Sequence, residues 1–408
     1  MKKAETKEKV EKELELYEPD PELDKAFEEW QKKVEELVKE HPLQIISWEA
    51  TRRCNLKCVH CGTPAESCII DEELNTEEVI GAFYQIKEDF DLNKFHHINI
   101  TGGEPFVRKD LVTILREISK IPKFRNIAIQ TNGICIAENP EILTELKDYG
   151  VTGIGVSIDG LEKTHDSFRN KNGCWKKAME AAKKACEEGY TVTISVVAHS
   201  KNIDEIPKLY NLIQETFSKH PRYFRVMTID PLGRADLNRE YLLGPDDVRK
   251  VVKWLEKQYE KDFNNYWDPS VTIVELGCGG WLGKKLEGRV RPYIFHCIAG
   301  VNNLGILYDG KLASCTNVSR EFIEGDLRKD RIKYVWENEY KEFRNRDWVK
   351  KSNPYCKECS EWEYCHGGPM HKLTKDGRML DCLYKTIFYN VDFRKELPEK
   401  IFTIPAGN

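Results

Sequence analysis

A strand-and-helix unit repeats along the chain from Gln44 onward, and this repeat constrains the fold more than any other feature. Each unit has a short run of apolar, β-branched residues, then a turn rich in Gly, Asn and Asp, then an amphipathic stretch, with a period of roughly 30 residues. Strands that alternate with helices in this way pair in parallel through right-handed crossovers. The sequence therefore predicts an α/β fold around a parallel sheet.

Six units fit the pattern, which is enough for an open, partial barrel and too few for a closed eight-unit barrel. The predicted strands are Ile45–Ala50, His97–Thr101, Asn126–Thr131, Gly153–Ile158, Thr191–Ala198 and Phe224–Ile229. The predicted helices between them include Thr76–Asp89, Leu111–Lys120, Trp175–Glu188 and Asp204–Phe217. In folds of this kind the loops after the strands form the active face. The unusual segments TRRCNLKCVHC, TGGEP, QTNG and SIDG follow the first four strands.

Two further regions flank these units. Residues 1–43 are rich in Glu and Lys, and Phe27, Trp30, Val34 and Leu37 recur at helical spacing, which predicts an N-terminal helical segment. The alternation stops near residue 264, and the rest of the chain is rich in Gly and Cys. We therefore expect three regions: a helical segment (1–43), a partial barrel (44–263) and a small cysteine-rich domain (264–408).

Composition limits the function classes. A net charge of −5 gives no single-sign field for nucleic acid, and no apolar run is long enough to span a membrane, so we expect neither partner. The 20 N-terminal residues do not resemble a signal peptide. We expect a cytoplasmic protein, where a reducing pool keeps thiols unpaired. The 14 cysteines then point to metal sites, because they cluster in two regions.

The first cluster is the motif CxxxCxxC, formed by Cys54, Cys58 and Cys61. This spacing lets one loop supply three thiolates to an iron–sulfur cluster and leaves one iron without a protein ligand. A structural zinc site is the alternative, but zinc normally takes four ligands. His60 is the nearest fourth candidate, and its place beside Cys61 makes joint ligation strained.

The pairing of CNLKCVHC with GGEP about forty residues later resembles the radical S-adenosylmethionine (SAM) superfamily. The resemblance implies a partial (β/α)6 barrel over about residues 44–263 and a catalytic [4Fe–4S] cluster on Cys54, Cys58 and Cys61. It also implies that SAM chelates the open iron and is reductively cleaved to a 5′-deoxyadenosyl radical, which takes a hydrogen atom from substrate. An electron donor such as ferredoxin or flavodoxin would be a partner.

The resemblance assigns SAM-binding roles to residues in the loops after the strands. Glycines permit close backbone approach, an ionised Glu104 accepts strong hydrogen bonds from the SAM ammonium, and an arginine pairs with its carboxylate. His60 replaces the family's usual aromatic ring near the adenine. The strand-end polar residues have an alternative role as turn formers, and the arginine as an ordinary surface residue. The expected SAM-binding residues are His60, Gly102, Gly103, Glu104, Pro105, Thr131, Asn132, Ser157, Asp159 and Arg169.

The C-terminal cysteines form a second metal region. Spacing alone does not separate iron–sulfur from zinc for Cys356, Cys359, Cys365 and Cys382. Together with Cys297 and Cys315, however, they resemble the SPASM extension of radical SAM enzymes. That resemblance implies one or two auxiliary clusters: an outer cluster on the first four cysteines and an inner one on Cys297, Cys315 and Cys278.

The chain departs from the SPASM pattern at two points. Pro369 stands where the family typically has another cysteine, and Cys278 lies farther from Cys297 than expected. The missing inner ligand is then His366, His371, solvent or substrate. The alternative is that Cys278 is merely structural and that the inner site is a two-iron cluster or empty. The other cysteines belong to no motif, and buried free thiols are the expected role, with hydrogen-atom donation as the alternative. These are Cys68, Cys135, Cys174 and Cys186.

Three functions are compatible with these motifs. The first is radical modification of a peptide or protein, by cross-linking, epimerisation or oxidation. The second is the same chemistry on a small molecule such as a tetrapyrrole, and the third is a zinc-stabilised binding protein without catalysis. A sulfatase-maturing role is disfavoured, because Thr316 follows Cys315 where those relatives have an acidic base. No residue identifies the substrate.

Overall fold

The computed structural model describes residues 21–62, 65, 72–263, 265, 267–268, 270–399 and 401. A single ten-stranded sheet organises these residues, in the order β10-β9-β8-β1-β2-β3-β4-β5-β6-β7. The strands are β1 Ile45–Glu49, β2 His97–Thr101, β3 Ile127–Thr131, β4 Val151–Ser157, β5 Thr191–Ala198, β6 Tyr223–Thr228, β7 Ile273–Leu276, β8 Asn303–Ile306, β9 Lys311–Ala313 and β10 Ile323–Asp326.

Helices connect and cover the strands. The first ten are α1 Pro21–Glu40, α2 Thr76–Asp89, α3 Leu111–Ile118, α4 Ile134–Glu138, α5 Ile142–Asp148, α6 Glu162–Arg169, α7 Cys174–Glu187, α8 Ile206–Thr216, α9 Arg234–Leu237 and α10 Pro245–Phe263. The C-terminal helices are α11 Ile332–Asn338, α12 Lys341–Arg344, α13 Asp347–Ser352, α14 Pro354–Lys357, α15 Trp362–Cys365 and α16 Leu383–Tyr389. All six strands and four helices predicted from the repeat are therefore present, with ends shifted by up to two residues.

Strands β1 to β6 pair in parallel in chain order, as predicted for a partial barrel. The sheet does not stop near residue 264, however. Strand β7 pairs in parallel with β6, and β8 pairs in parallel with β1 on the other side. Strands β9 and β10 continue from β8 in antiparallel pairs. The cysteine-rich region thus supplies strands to both edges of the barrel sheet.

The two faces of the sheet differ in chemistry. On the helix-covered face, Ile46, Trp48 and Ile100 are fully buried, and the Trp48 ring packs edge-on against Phe83 of α2 at 6.0 Å. The opposite face, which we call the inner face, carries polar side chains between these apolar positions. Asn99 and Gln130 belong to the inner face and are joined by a 3.2 Å hydrogen bond. One face therefore forms the core and the other lines the barrel interior.

Helix α1 packs on the cysteine-rich region. Phe27 is fully buried and contacts the rings of Trp281 and Tyr364, each at 5.8 Å between ring centroids. Residues 1–20 of the predicted N-terminal helical segment lie outside the described residues. Within the described residues, no helix has the length and apolar content needed to cross a membrane.

Candidate active site

The loop after β1 carries Cys54, Cys58 and Cys61 and folds back into the mouth of the barrel. Cys58 is buried with Leu56, Ile134 and Cys174, and Cys54 and Cys61 pack against the same group. Burial and the neighbouring thiols raise the pKa of Cys54 to about 12 in the metal-free protein. A metal that binds these thiols must therefore displace their protons. The structure brings the three predicted cluster ligands together at one corner.

The spacing of these sulfur atoms bears on which metal they suit. Within the described residues, His165, Asp166 and Cys174 form the only trio of ligand atoms that lie within 4.8 Å of one another. The thiols of a zinc site would lie about 3.8 Å apart, given Zn–S bonds of about 2.3 Å in a tetrahedron. Neither the catalytic nor the auxiliary cysteines have that spacing. The donor sets therefore fit iron–sulfur clusters, in which each thiolate binds a different iron.

The TGGE segment after β2 packs directly on the cysteine loop. The Gly103 amide donates to the Thr51 carbonyl at 2.7 Å, and the Glu104 amide donates to the Arg53 carbonyl at 2.8 Å. A side chain at Gly103 would place its Cβ 2.1 Å from the Arg53 carbonyl oxygen. Gly102 has φ of 141° and similarly approaches the Thr51 carbonyl. The two glycines thus let the TGGE backbone lie very close to another backbone. Among the described residues, that other backbone is the cysteine loop.

Glu104 is fully buried beside that loop. One carboxylate oxygen accepts from the Thr131 hydroxyl at 2.8 Å, and the other accepts from the Asn132 amide at 2.8 Å. Burial raises the pKa of Glu104 to about 7, although these hydrogen bonds lower it. Oε1 also accepts from the Phe106 amide at 3.3 Å, so Oε2 is the oxygen that keeps a further lone pair for a ligand. Pro105 begins the turn after Glu104 and is buried.

The other strand-end residues form a network that reaches the cysteine loop. The Asn132 side-chain amide donates to the side-chain oxygen (Oδ1) of Asn55 at 2.7 Å. Asp159 is fully buried and pairs with the Arg169 Nε at 2.6 Å. Burial alone would raise the pKa of Asp159, but the Arg169 guanidinium holds it below its usual range. Ser157 lies at the end of β4, opposite Ser195 of β5.

Arg169 was expected to bind the SAM carboxylate, and the structure gives it two protein partners. Besides Asp159, its Nη1 lies 3.9 Å from the Cys58 sulfur. Burial raises the pKa of Cys58, and the Arg169 cation at this distance opposes that rise because it favours the thiolate. Its role toward SAM stays a prediction.

His60 has an aromatic partner within the protein. Its ring stacks on Phe168 at 4.1 Å with an interplanar angle of 4°, and Phe168 stacks in turn on His199 at 3.9 Å. Burial lowers the pKa of His60 to about 3, so the ring is neutral at pH 7. Its Nδ1 is buried without a hydrogen-bond partner. One ring face is thus occupied, and an adenine contact stays a prediction.

Two residues that sequence reasoning missed fix the cysteine loop from the segment after β6. Arg234 donates through Nε to the Cys58 carbonyl at 2.7 Å, and Asn238 donates to the Val59 carbonyl at 3.0 Å. Gly233 has φ of 56°, and a side chain there would collide with the Cys61 carbonyl. A signal was present in the sequence, since PLGRAD follows the sixth predicted strand as the other site segments follow theirs.

The C-terminal cysteines form two groups. Cys356, Cys359, Cys365 and Cys382 interact electrostatically with one another. Burial is the main cause that raises the pKa of Cys356 and of Cys382 to about 12; the neighbouring thiols add to it at Cys356, and Asp381 and Cys359 add to it at Cys382. These four cysteines are the predicted outer set. In the second group, the predicted inner set, Cys278 interacts with Cys297 and Cys315.

The unassigned cysteines have different surroundings. Cys174 is buried and its thiol donates to Asp166 at 3.3 Å, while Asn55 of the cysteine loop donates to the Cys135 sulfur at 3.6 Å. Cys186 is buried in the main core. Cys68 lies outside the described residues.

Comparison with known proteins yields matches to both parts of the chain. The profile of the radical SAM superfamily matches residues 48–213, and that of the iron–sulfur cluster-binding SPASM domain matches residues 297–360. A GTP 3′,8-cyclase of Peptoclostridium acidaminophilum is 30% identical over 297 residues, which cover 70% of this chain and 85% of the relative. Fe-coproporphyrin III synthase of Methanosarcina barkeri is 28% identical over 342 residues, with 79% and 82% covered.

Among solved structures, native anSMEcpe with bound AdoMet and Cp18Cys peptide is similar in fold. The TM-score is 0.61 at 21% identity, and the match covers 87% of this chain and 95% of that protein.

Proposed function

Because the chain belongs to the radical SAM superfamily and carries a SPASM domain, and is therefore a SAM-dependent iron–sulfur enzyme, we propose that it abstracts a hydrogen atom from a peptide or protein substrate. When bound, the cluster and SAM would provide the redox chemistry: SAM is cleaved reductively, and a part of SAM accepts that hydrogen atom. The protein's own residues hold these groups and the substrate, and exclude water.

The polar inner face of the barrel is the observation that carries the peptide proposal. Asn99, Gln130, Ser195 and Arg225 lie on this face, below the loops that carry the cysteine and TGGE segments. Arg225 is paired with Glu275 of β7 at 2.6 Å. Amide and carboxylate groups on one wall suit a substrate rich in hydrogen-bonding groups, as a peptide backbone is. A flat macrocycle would instead favour predominantly apolar walls.

The solved relative, native anSMEcpe, is consistent with a peptide substrate. Its bound ligand is a peptide, and it has a similar fold over 87% of this chain. At 21% identity this likeness concerns the fold, so the substrate class rests on the inner face.

A small-molecule substrate such as a tetrapyrrole is the second candidate. The observation that favours it is the match to Fe-coproporphyrin III synthase over 79% of this chain. The third function, a zinc-stabilised binding protein without catalysis, is wrong, since the chain belongs to a superfamily of enzymes and its curated relatives are enzymes.

We also propose roles for the site residues. Cys54, Cys58 and Cys61 hold the catalytic cluster, while Gly102, Gly103, Glu104 and Pro105 form the segment that meets the SAM amino group. The other contacts expected for SAM, as set out from the sequence, are made by His60, Thr131, Asn132, Ser157, Asp159 and Arg169. An acidic carrier such as ferredoxin or flavodoxin supplies electrons, and the cytoplasm is the expected compartment because the cysteines of the described residues are all free.

The test uses anaerobically reconstituted full-length protein, SAM and dithionite. Deuterium-labelled peptides encoded beside the gene are compared with labelled coproporphyrin, and 5′-deoxyadenosine is analysed for deuterium. We expect deuterium transfer from a peptide, together with a mass change in that peptide. Transfer from coproporphyrin alone would overturn the peptide proposal and support the second candidate.

The matched control replaces Cys54, Cys58 and Cys61 with Ala. This variant keeps the auxiliary cysteines and should form no 5′-deoxyadenosine. If it forms as much as the wild-type protein, the catalytic assignment is wrong.

A further inference from the structure

The inner auxiliary site has three cysteines for a cluster with four metal corners. Cys278, Cys297 and Cys315 interact with one another, and the four remaining C-terminal cysteines form the separate outer group. A four-iron cluster on the inner cysteines therefore needs one more ligand from elsewhere.

Residues 369–372 lie against this inner group. The Met370 amide points at the Cys297 sulfur, 3.5 Å away. A Cβ added at Gly280 would lie 3.1 Å from Pro369, and the Lys372 ammonium donates to the Gly279 carbonyl at 3.1 Å. The segment thus contacts both the Cys297 side and the Cys278 loop of the site.

Buried Arg346 holds this segment and Cys297 together. Its Nη1 donates to the Gly368 carbonyl at 2.7 Å, and its Nη2 donates to the Cys297 carbonyl at 3.4 Å. The backbone on either side of the segment is therefore fixed relative to one inner cysteine.

His371 carries an imidazole, which is able to bind a metal, and it is 7% exposed. Its Nε2 lies 3.1 Å from a carboxylate oxygen of Asp230, at the end of β6. Within the described part of the chain, Nδ1 makes no hydrogen bond and is the nitrogen left for a ligand. Histidines that bind metals usually direct their second ring nitrogen to a carboxylate in this way, which fixes the ring and its tautomer.

Asp230 is itself held in place. The Lys372 ammonium lies 3.1 Å from its other oxygen, and the same ammonium pairs with Asp381 at 2.8 Å. The carboxylate that orients His371 is thus anchored from the barrel and from the cysteine-rich region.

Two other histidines lie near the auxiliary cysteines, and the Nε2 of one of them, His296, is buried without a hydrogen-bond partner among the described residues. His366 bonds through Nε2 to the Glu363 carbonyl at 2.8 Å, and its ring is stacked on Trp362. His296, next to Cys297, packs its ring edge-on against Trp30 of α1. Neither has a carboxylate partner on its second nitrogen among the described residues.

We propose that Nδ1 of His371 is the fourth ligand of the inner cluster, with Asp230 as its orienting partner. The inference rests on the proposed function only in requiring that the auxiliary clusters form. Each iron of the inner cluster then has a protein ligand, and none is open to solvent or substrate. The inner cluster is then closed to substrate.

The experiment uses the full chain with Cys54, Cys58 and Cys61 replaced by Ala, so that only auxiliary clusters are present. The protein is labelled with 15N-histidine, reconstituted and reduced, and pulsed electron paramagnetic resonance detects nitrogen coordinated to a cluster. We expect a directly coupled histidine nitrogen in this parent. The signal should disappear in His371→Ala and remain in the matched controls His366→Ala and His296→Ala.

His371→Cys guards against a result that reflects misfolding. A thiolate at this position should restore a four-iron inner cluster without nitrogen coupling, giving about eight irons per chain by iron analysis and Mössbauer spectroscopy. Asp230→Ala should accelerate iron loss to a chelator by about ten- to a hundredfold, the usual effect of removing such an orienting group.

Absence of a coupled nitrogen in the parent would overturn the proposal, as would its persistence in His371→Cys or its loss in His296→Ala alone. The parent does not depend on SAM cleavage. The nitrogen signal in this parent can therefore be interpreted even if the wild-type protein does not show the proposed function.

Discussion

Replacement of Gly103 by Ala tests how tightly the TGGE segment and the cysteine loop are packed. The added Cβ would lie 2.1 Å from the Arg53 carbonyl oxygen, 2.7 Å from its carbon and 2.9 Å from the Arg52 carbonyl oxygen. All three are backbone atoms, which cannot rotate away as a side chain can. Since contacts to Cβ stay above 3.0 Å, the two segments must separate by at least about 0.9 Å (3.0 − 2.1).

This separation removes specific interactions. The hydrogen bonds from Gly103 to Thr51 at 2.7 Å and from Glu104 to Arg53 at 2.8 Å would stretch beyond normal length. Losing both costs about 1 to 3 kcal/mol, and overpacking adds about 1 to 3 kcal/mol. We expect local opening of the cysteine loop, with loss of the catalytic cluster and retention of the auxiliary clusters.

Iron analysis gives the primary readout. Three four-iron clusters give about twelve irons per wild-type chain, and Gly103→Ala should give about eight, with no 5′-deoxyadenosine formed. The matched control is Gly81→Ala in α2, where an added Cβ meets nothing within 4 Å. It should keep all clusters and gain up to about 1 kcal/mol from helix propensity. A Gly103→Ala protein with full iron and normal SAM cleavage would refute the reasoning.

Three further outcomes are expected. Glu104→Ala should weaken SAM binding about ten- to a hundredfold, from a lost charge-assisted hydrogen bond of about 1.5 to 3 kcal/mol, with the cluster intact; an unchanged dissociation constant by titration would contradict this. Burial raises the pKa of Glu49 from 4.5 to about 7, so the stability it contributes is present below pH 4.5 and lost as pH rises to 7. Glu49→Gln should reduce this pH-dependent loss of unfolding free energy by at most about 3 kcal/mol, as measured by urea unfolding at several pH values. An unchanged dependence of the unfolding free energy on pH would count against it. Arg291→Ala leaves Glu287 buried without its ion-pair partner and should destabilise the protein by about 3 to 5 kcal/mol by the same assay; a loss below 1 kcal/mol would disagree.

The barrel was predictable because its signals are local. Each strand is a β-branched run of five to eight residues followed by a polar turn, and Thr76–Asp89 begins where Asn75 forms a capping box with Glu78. The cysteine loop was likewise identifiable from one motif, because all three thiols lie within eight residues. Patterns of this length survive tertiary packing.

The additional sheet strands were not predictable, because their signals are too short. Strands β7 to β10 have three or four residues each, and two of them pair with β1 and β6 from far along the chain. Such strands carry too few residues to show a periodicity. The contacts of Arg234 with the Cys58 carbonyl span 176 positions, and no local pattern encodes them.

The auxiliary region is joined to the barrel by charge as well as by strands. The buried Lys372 ammonium contacts the Thr228 hydroxyl at the end of β6, the Gly279 carbonyl beside Cys278, and Asp381 beside Cys382. One cation therefore links the barrel mouth, the inner cysteine loop and the outer cysteine group. Because a buried cation is stable only while its anionic partners stay in place, these three parts are held in a fixed arrangement. The positions of the auxiliary cysteines relative to the mouth of the barrel thus follow from side chains that belong to neither cysteine motif.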